Sequence, residues 1–258
     1  KEILKAAEEW INESPEHRAY TVFGLVIFAK IILSKSSYIK LIKDSKEKKD
    51  YEDERKYICE ASKAFSNELL ERFDTKLNIV HPERIPEKGP VVYVANHQSY
   101  CDVFAFISMI PHQIGFVAKK EFSRIPIFNK WLSRIRSVYI DRSTPRASLK
   151  AINDGVRNLQ DGFSMVIFPE GHRSRSHEMR NFKYGSFKLA TKAGVPIIPV
   201  TLDGGYKTFE KDKAFVSGYT VNALIHEPIN TKDLSRDELV ELPKFVESTI
   251  RDGLKYFE

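Results

Sequence analysis

At 258 residues with 42% hydrophobic content, the chain is long enough to bury a sizeable core. A net charge of +6 and an isoelectric point near 9.1 point to an anionic partner: nucleic acid, an acidic protein, a phosphate-bearing substrate or an anionic membrane surface. The two cysteines, Cys59 and Cys101, form neither a C-x-x-C pair nor a framework, which excludes a disulfide-stapled scaffold and fits a reducing, intracellular setting.

The first element is predicted from "SPEHRAYTVFGLVIFAKIIL". Ser14 is placed as an N-cap and Pro15 at the first helical position. The apolar run from Ala19 to Leu33 contains Lys30 and would span about 22 Å as a helix, short of the ~30 Å hydrocarbon core of a bilayer. It reads as an interfacial helix or as a helix packed on the main domain. In "KDSKEKKDYEDERKYICEASKAFSNELLERF", Ile58, Ala61, Phe65, Leu69 and Phe73 recur at three- and four-residue spacing, which predicts an amphipathic helix. The charge run before them is its expected solvated face. Residues 1–75 thus form a predicted helical hairpin, and Lys30, Lys35, Lys40 and Lys43 on its flanks suit an anionic lipid surface.

Beyond this hairpin, short β-rich runs alternate with helical ones. The expected strands are "VVYVA", "IGFVA", "SVYI", "SMVIF", "PIIPVTL" and "TVNALIH". Between them lie predicted helices at 102–110, 121–135, 145–160 and 183–193. A last helix opens on a capping box from Ser235 to Glu238, with a kink expected at Pro243. The prolines at 196 and 199 suggest an edge strand or a wall. The alternation predicts an α/β domain over 76–258, with a mainly parallel central sheet flanked by helices.

In open α/β sheets, functional groups collect where strands end and helices begin. "VVYVANHQSYCDVFAF" places His97 in the loop after a strand and Asp102 at a helix start, where the dipole favours a carboxylate. Such a pair fixes the imidazole tautomer and serves as a general base on a substrate hydroxyl. The competing reading is a loop histidine and a capping aspartate. "SMVIFPEGHRSRS" repeats the strand-then-loop pattern. Gly171 permits close backbone approach there, while Glu170 and Arg173 supply an acceptor and a forked donor for polyol and phosphate groups. "SVYIDRS" ends a further strand on Asp141 and Arg142.

Taken in order, four stretches resemble the motifs of the glycerolipid acyltransferase family. N-H-x4-D matches Asn96, His97 and Asp102. "KKEFSRIPIFNKWLSRIRSVYIDR" matches the second motif, Phe168 to Ser174 the third, and "VPIIPV" the fourth. The resemblance covers about residues 90–202. The third motif usually has Thr where His172 stands, and the second usually carries glycines near Asn129 and Arg136.

This resemblance implies that His97 removes a proton from the free 2-hydroxyl of lysophosphatidate, with Asp102 supporting it. The hydroxyl then attacks an acyl thioester on acyl carrier protein or coenzyme A, with no acyl-enzyme, no metal and no further cofactor. It also implies that Arg142 and Arg173, with Lys119 or Lys120, hold the acceptor phosphate, and that Asn96, Glu170 and Gly171 contribute to substrate binding. The greasy hairpin would hold the enzyme on the cytoplasmic face of the cell membrane, as a monotopic or peripheral protein against anionic lipid. Alternatives remain: glycerol-3-phosphate as acceptor, Cys101 as a covalent acyl carrier, or a non-catalytic lipid-binding module. A nucleic-acid partner is not expected, because no recognition motif accompanies the charge. "EGHRSRSHE" has no standard metal-ligand spacing.

Overall fold

The computed structural model describes residues 36–124, 126–208 and 218–258. The apolar segment 19–33, with Lys30 and Lys35, lies outside them. The first described element is helix α1, Ser36–Lys48, followed by α2, Tyr51–Arg72. The charge run is therefore split. Lys49 adopts a left-handed φ of 56°, and Asp50 caps α2 by accepting the Asp53 N–H. The run is also not wholly solvated. Glu54 is fully buried and forms a bidentate pair with Arg136, Nε to Oε1 at 2.7 Å and Nη2 to Oε2 at 2.5 Å. The Arg136 guanidinium lies over the Phe163 ring at 4.4 Å from its centroid.

The sheet strands are β1 (Lys76–Val80), β2 (Val92–Ala95), β3 (Ile114–Lys119), β4 (Val138–Ile140), β5 (Ser164–Ile167), β6 (Ile197–Asp203) and β7 (Thr220–Ile225). Their order among the described residues is β1-β7-β6-β2-β5-β3-β4. All neighbours are parallel except β6 and β7. The expected mainly parallel α/β fold is what forms. β1 was not among the expected strands. It is a half-exposed edge, and only the alternation of Leu77 and Ile79 marks it.

Further helices are α3 (Cys101–Met109), α4 (Pro126–Arg134), α5 (Pro145–Gln160), α6 (Lys188–Ala193), the single turn α7 (Gly205–Thr208) and α8 (Arg236–Leu254). The predicted helix 121–135 divides into a 3-10 turn, Lys120–Arg124, and α4. Pro126 explains the break: it disfavours helix in the residue before it and suits a helical start. The expected helix 183–193 likewise begins as a 3-10 turn and stops at Gly194, left-handed at φ 64°. The capping box at Ser235 and Glu238 forms, and α8 continues through Pro243.

Pro199 does not mark an edge. β6 lies inside the sheet between β7 and β2. The carbonyl of Pro199 accepts from the His226 N–H at 3.0 Å, just past the end of β7. Its missing N–H therefore faces the same side, toward His226 beyond the last residue of β7, and the bonds to β2 are not interrupted by it.

Alternation along each strand divides the core into two layers. Val91, Tyr93 and Ala95 pack with α2 and α3 residues such as Phe65, Leu69 and Phe106. Val92 and Val94 pack with Leu159 of α5, Leu189 of α6, and Val246 and Ile250 of α8. The arm α2 is thus bonded into the core under the sheet, and Phe65 there is completely buried.

Candidate active site

The site is built from chain ends on one rim of the sheet. Asn96 follows β2, Lys119 ends β3, Arg142 follows β4 and Glu170–Arg173 follow β5. These strands are parallel and adjacent, so their carboxyl ends come together.

Asn96 fixes the start of the loop. Its amide donates to the Leu202 carbonyl at 2.8 Å and accepts the Leu202 N–H at 2.7 Å. It is buried, and its side chain is spent on bracing against β6. His97 comes next. Its Nδ1 lies 2.8 Å from Asp102 Oδ2. The same oxygen accepts the backbone N–H groups of Gln98 at 2.6 Å and Ser99 at 2.9 Å. Asp102 is completely buried in the first turn of α3, whereas the His97 side chain retains 14% exposure. The carboxylate therefore accepts from Nδ1–H, which leaves the lone pair of the neutral imidazole on Nε2. The imidazole stacks on Phe168, centroids 4.1 Å apart and planes 15° from parallel.

Glu170 is drawn under this loop. Its Oε1 accepts the His97 N–H at 2.6 Å and its Oε2 accepts the Arg180 N–H at 2.9 Å. Burial pushes its carboxyl up to about 7; the two N–H groups oppose that rise and the Asp102 charge adds to it. Both oxygens are used by backbone, so the residue braces His97. The third-motif loop is also tied down directly, with the Ser174 N–H donating to the His97 carbonyl at 2.7 Å.

A cationic group faces the same rim. Arg142 donates from Nη1 to the Gly171 carbonyl at 2.7 Å. Gly171 has φ 77°, and a Cβ there would collide with this guanidinium, so the close approach the glycine permits is made by Arg142. Burial, then the charges of Arg142, Arg173 and Lys183, lowers the Lys119 ammonium. His172 is lowered by burial and then by Lys119, Lys183, Arg142 and Arg180. These groups are close enough to repel one another, which a bound anion relieves. The Arg173 guanidinium lies 3.6 Å over the Tyr100 ring. Lys120 instead pairs with Asp141 at 2.7 Å. Lys183 and Arg180 were not expected members; the basic residues of "EMRNFKYG" were their only signal.

Cys101 adjoins the pair without the character of a nucleophile. Burial, with the Asp102 charge adding and a Thr208 hydrogen bond opposing, pushes its thiol up to about 12. Among the described residues, no group of three or more His, Cys, Asp and Glu could hold a metal ion. No described helix is long and apolar enough to cross a membrane.

The family described as Acyltransferase has a model that matches residues 76–203. A 1-acyl-sn-glycerol-3-phosphate acyltransferase of Borreliella burgdorferi is 33% identical over 175 residues, 68% of this chain and 70% of that protein. A chloroplastic 1-acyl-sn-glycerol-3-phosphate acyltransferase of Arabidopsis thaliana is 33% identical over 157 residues, which is 60% of this chain but 44% of the plant protein. Among solved structures, the 1-acyl-sn-glycerophosphate acyltransferase of Thermotoga maritima superposes with a TM-score of 0.72 at 27% identity, covering 92% of this chain and 97% of that one. With that much sequence and backbone in common, and with the strand-end motifs folded onto one rim, the chain belongs to the acyltransferase family.

Proposed function

We propose that the chain transfers a fatty acyl group from an acyl thioester to the 2-hydroxyl of 1-acylglycerol-3-phosphate, giving phosphatidate for phospholipid synthesis. The observation that carries this reading is the His97–Asp102 pair at 2.8 Å beside the cationic group of Lys119, Arg142, Arg173 and Lys183. The names of the relatives agree with it.

In this reading the acceptor phosphate binds among those cations, by charge-assisted hydrogen bonds. That places the glycerol hydroxyl toward Nε2 of His97. His97 takes the hydroxyl proton as the oxygen attacks the thioester carbonyl, and Asp102 stabilises the imidazolium. The tetrahedral intermediate collapses with loss of the thiolate, which takes the proton back from His97. No acyl-enzyme is required, and the raised Cys101 thiol argues against one. The donor is acyl carrier protein or coenzyme A, both anionic and both suited to a basic protein. The chain ahead of α2 acts as the membrane-associating arm on the cytoplasmic face, while α2 itself packs into the core. Lys40 and Lys43, with Leu41 at 40% exposure, supply a basic and apolar surface on α1 for anionic lipid.

The test is label transfer from each thioester to lysophosphatidate and, separately, to glycerol-3-phosphate, using wild type and His97→Ala. Labelled phosphatidate from wild type alone is expected. No transfer at high protein concentration would leave only lipid binding.

A further inference from the structure

Resting on that catalytic reading, we infer that the corner after β6, Leu202 to Gly205, is the template that sets the His97–Asp102 geometry, and that Gly205 is its positioning residue. The corner meets the catalytic loop in successive places. Leu202 exchanges two hydrogen bonds with the Asn96 side chain. Asp203 Oδ1 accepts from the Gln98 amide at 3.0 Å. Gly205 then abuts Asp102: a Cβ there would overlap Oδ1 and lie 3.6 Å from the Ser99 Cβ.

The glycine is not explained by its backbone. Gly205 starts the turn α7 and is absent from the glycines with positive φ, whereas its neighbour Gly204 has φ 88°. In a helical conformation alanine is normally the better residue, by about 1 kcal/mol. What requires glycine is the neighbouring carboxylate. Asp102 cannot easily yield, because Oδ2 is held by His97 Nδ1, Gln98 N–H and Ser99 N–H. Its Oδ1 is buried, has no hydrogen-bond partner among the described residues and points at the space the missing Cβ leaves. A methyl group there must turn the carboxylate and carry Oδ2 off the imidazole. The corner therefore works through Asp102, and Gly205 touches no substrate in this arrangement.

The experiment is a double-mutant cycle on the full chain, with Gly205→Ala made in wild type and in Asp102→Ala. In wild type, Gly205→Ala is expected to lower kcat by about 10²-fold with KM changed by less than about threefold, the scale of a small misplacement of a reacting group. In Asp102→Ala no carboxylate remains to displace, so the same substitution should cost less than about threefold. Equal losses in both backgrounds would show a general structural effect and overturn the inference, as would wild-type kinetics in Gly205→Ala. A second readout needs no turnover: the proton and nitrogen NMR signals of the His97 Nδ1–H should move in Gly205→Ala, and an unmoved signal overturns the inference. If wild type transfers no acyl group, the functional reading fails while the imidazole signal still reports on the geometry. Should Gly205→Ala not fold, Asp203→Ala adds no bulk and tests the same corner. It is expected to lower kcat about tenfold and to move the same signal; an unmoved signal again counts against the template.

Discussion

Two histidine–aspartate pairs lie side by side in this molecule, and Gln98 touches both. His97 and Asp102 are 2.8 Å apart, as are His177 and Asp203. Gln98 donates its backbone N–H to the first acid and its side-chain amide to the second. Their surroundings differ. His97 is largely enclosed and stacked on Phe168, and its loop lies beside the basic rim of strand ends. His177 is 33% exposed, and its Nε2 lies 3.6 Å from Glu258. It borders a cavity of about 290 Å³ whose cations Arg251 and Lys255 already pair with Glu247 and Asp252. The pair as such is not a site. What sets the first pair apart is its enclosure, the Phe168 ring against the imidazole, and a neighbouring group of cations where burial and mutual repulsion lower the Lys119 ammonium.

That contrast is sharpest in the histidines themselves. His97→Ala should lower kcat/KM by about 10² to 10⁴, the range for removing a general base. His177→Ala should stay within about threefold; a comparable loss there would erase the distinction. Next in size is acceptor binding. Arg142→Ala should raise KM for the phosphate acceptor roughly 10- to 100-fold, since hydrogen bonds to charged groups contribute about 1.5–3 kcal/mol. Lys183→Ala should do the same to a smaller degree, and both effects should shrink as salt rises. Arg251→Ala, in the His177 cavity, should leave KM alone.

A smaller effect is expected at Glu170. Glu170→Gln keeps shape but turns an NH₂ toward one of two backbone N–H donors. The loop under His97 should loosen, with kcat falling about tenfold and KM little changed. The smallest concerns pH and lies outside both pairs. Burial, with the Arg84 charge adding, lowers His226 to about 4, below the ~6.5 of an unfolded chain. Between those values the unfolded chain binds the extra proton, so stability is full above about 6.5 and is lost as pH falls toward 4. Allowing for partial exposure, roughly 2 kcal/mol is at stake. Thermal melts of wild type and His226→Asn between pH 7 and 4.5 should converge on acidification.

Much of the rim was legible in the sequence because each apolar strand run ends on polar or charged residues. N-H-x4-D put His97 and Asp102 within reach, and the structure brings them into contact. What stayed hidden depends on long-range crossings. Glu54 sits in a charge run that looks solvated, and its partner Arg136 is 82 residues away. Phe168 looked like a strand residue, yet its ring supports His97 through a neighbouring strand end. Lys120 and Lys119 are adjacent in sequence and equal in type. Only the fold decides that one pairs with Asp141 and the other joins the cationic group. Arg136 was visible only as a departure from a familial glycine. Its φ of 62° shows why glycine suits that place and what the arginine supplies instead.

The bidentate bond between Glu54 and Arg136 also decides where this protein can be cut. A fragment starting at residue 76 would leave Arg136 enclosed without its counter-ion and strip α2 from the apolar layer that holds Tyr93 and Phe106. Chimaeras that exchange the N-terminal segment between relatives therefore need their junction ahead of residue 36, so that the graft leaves the enzyme's interior closed.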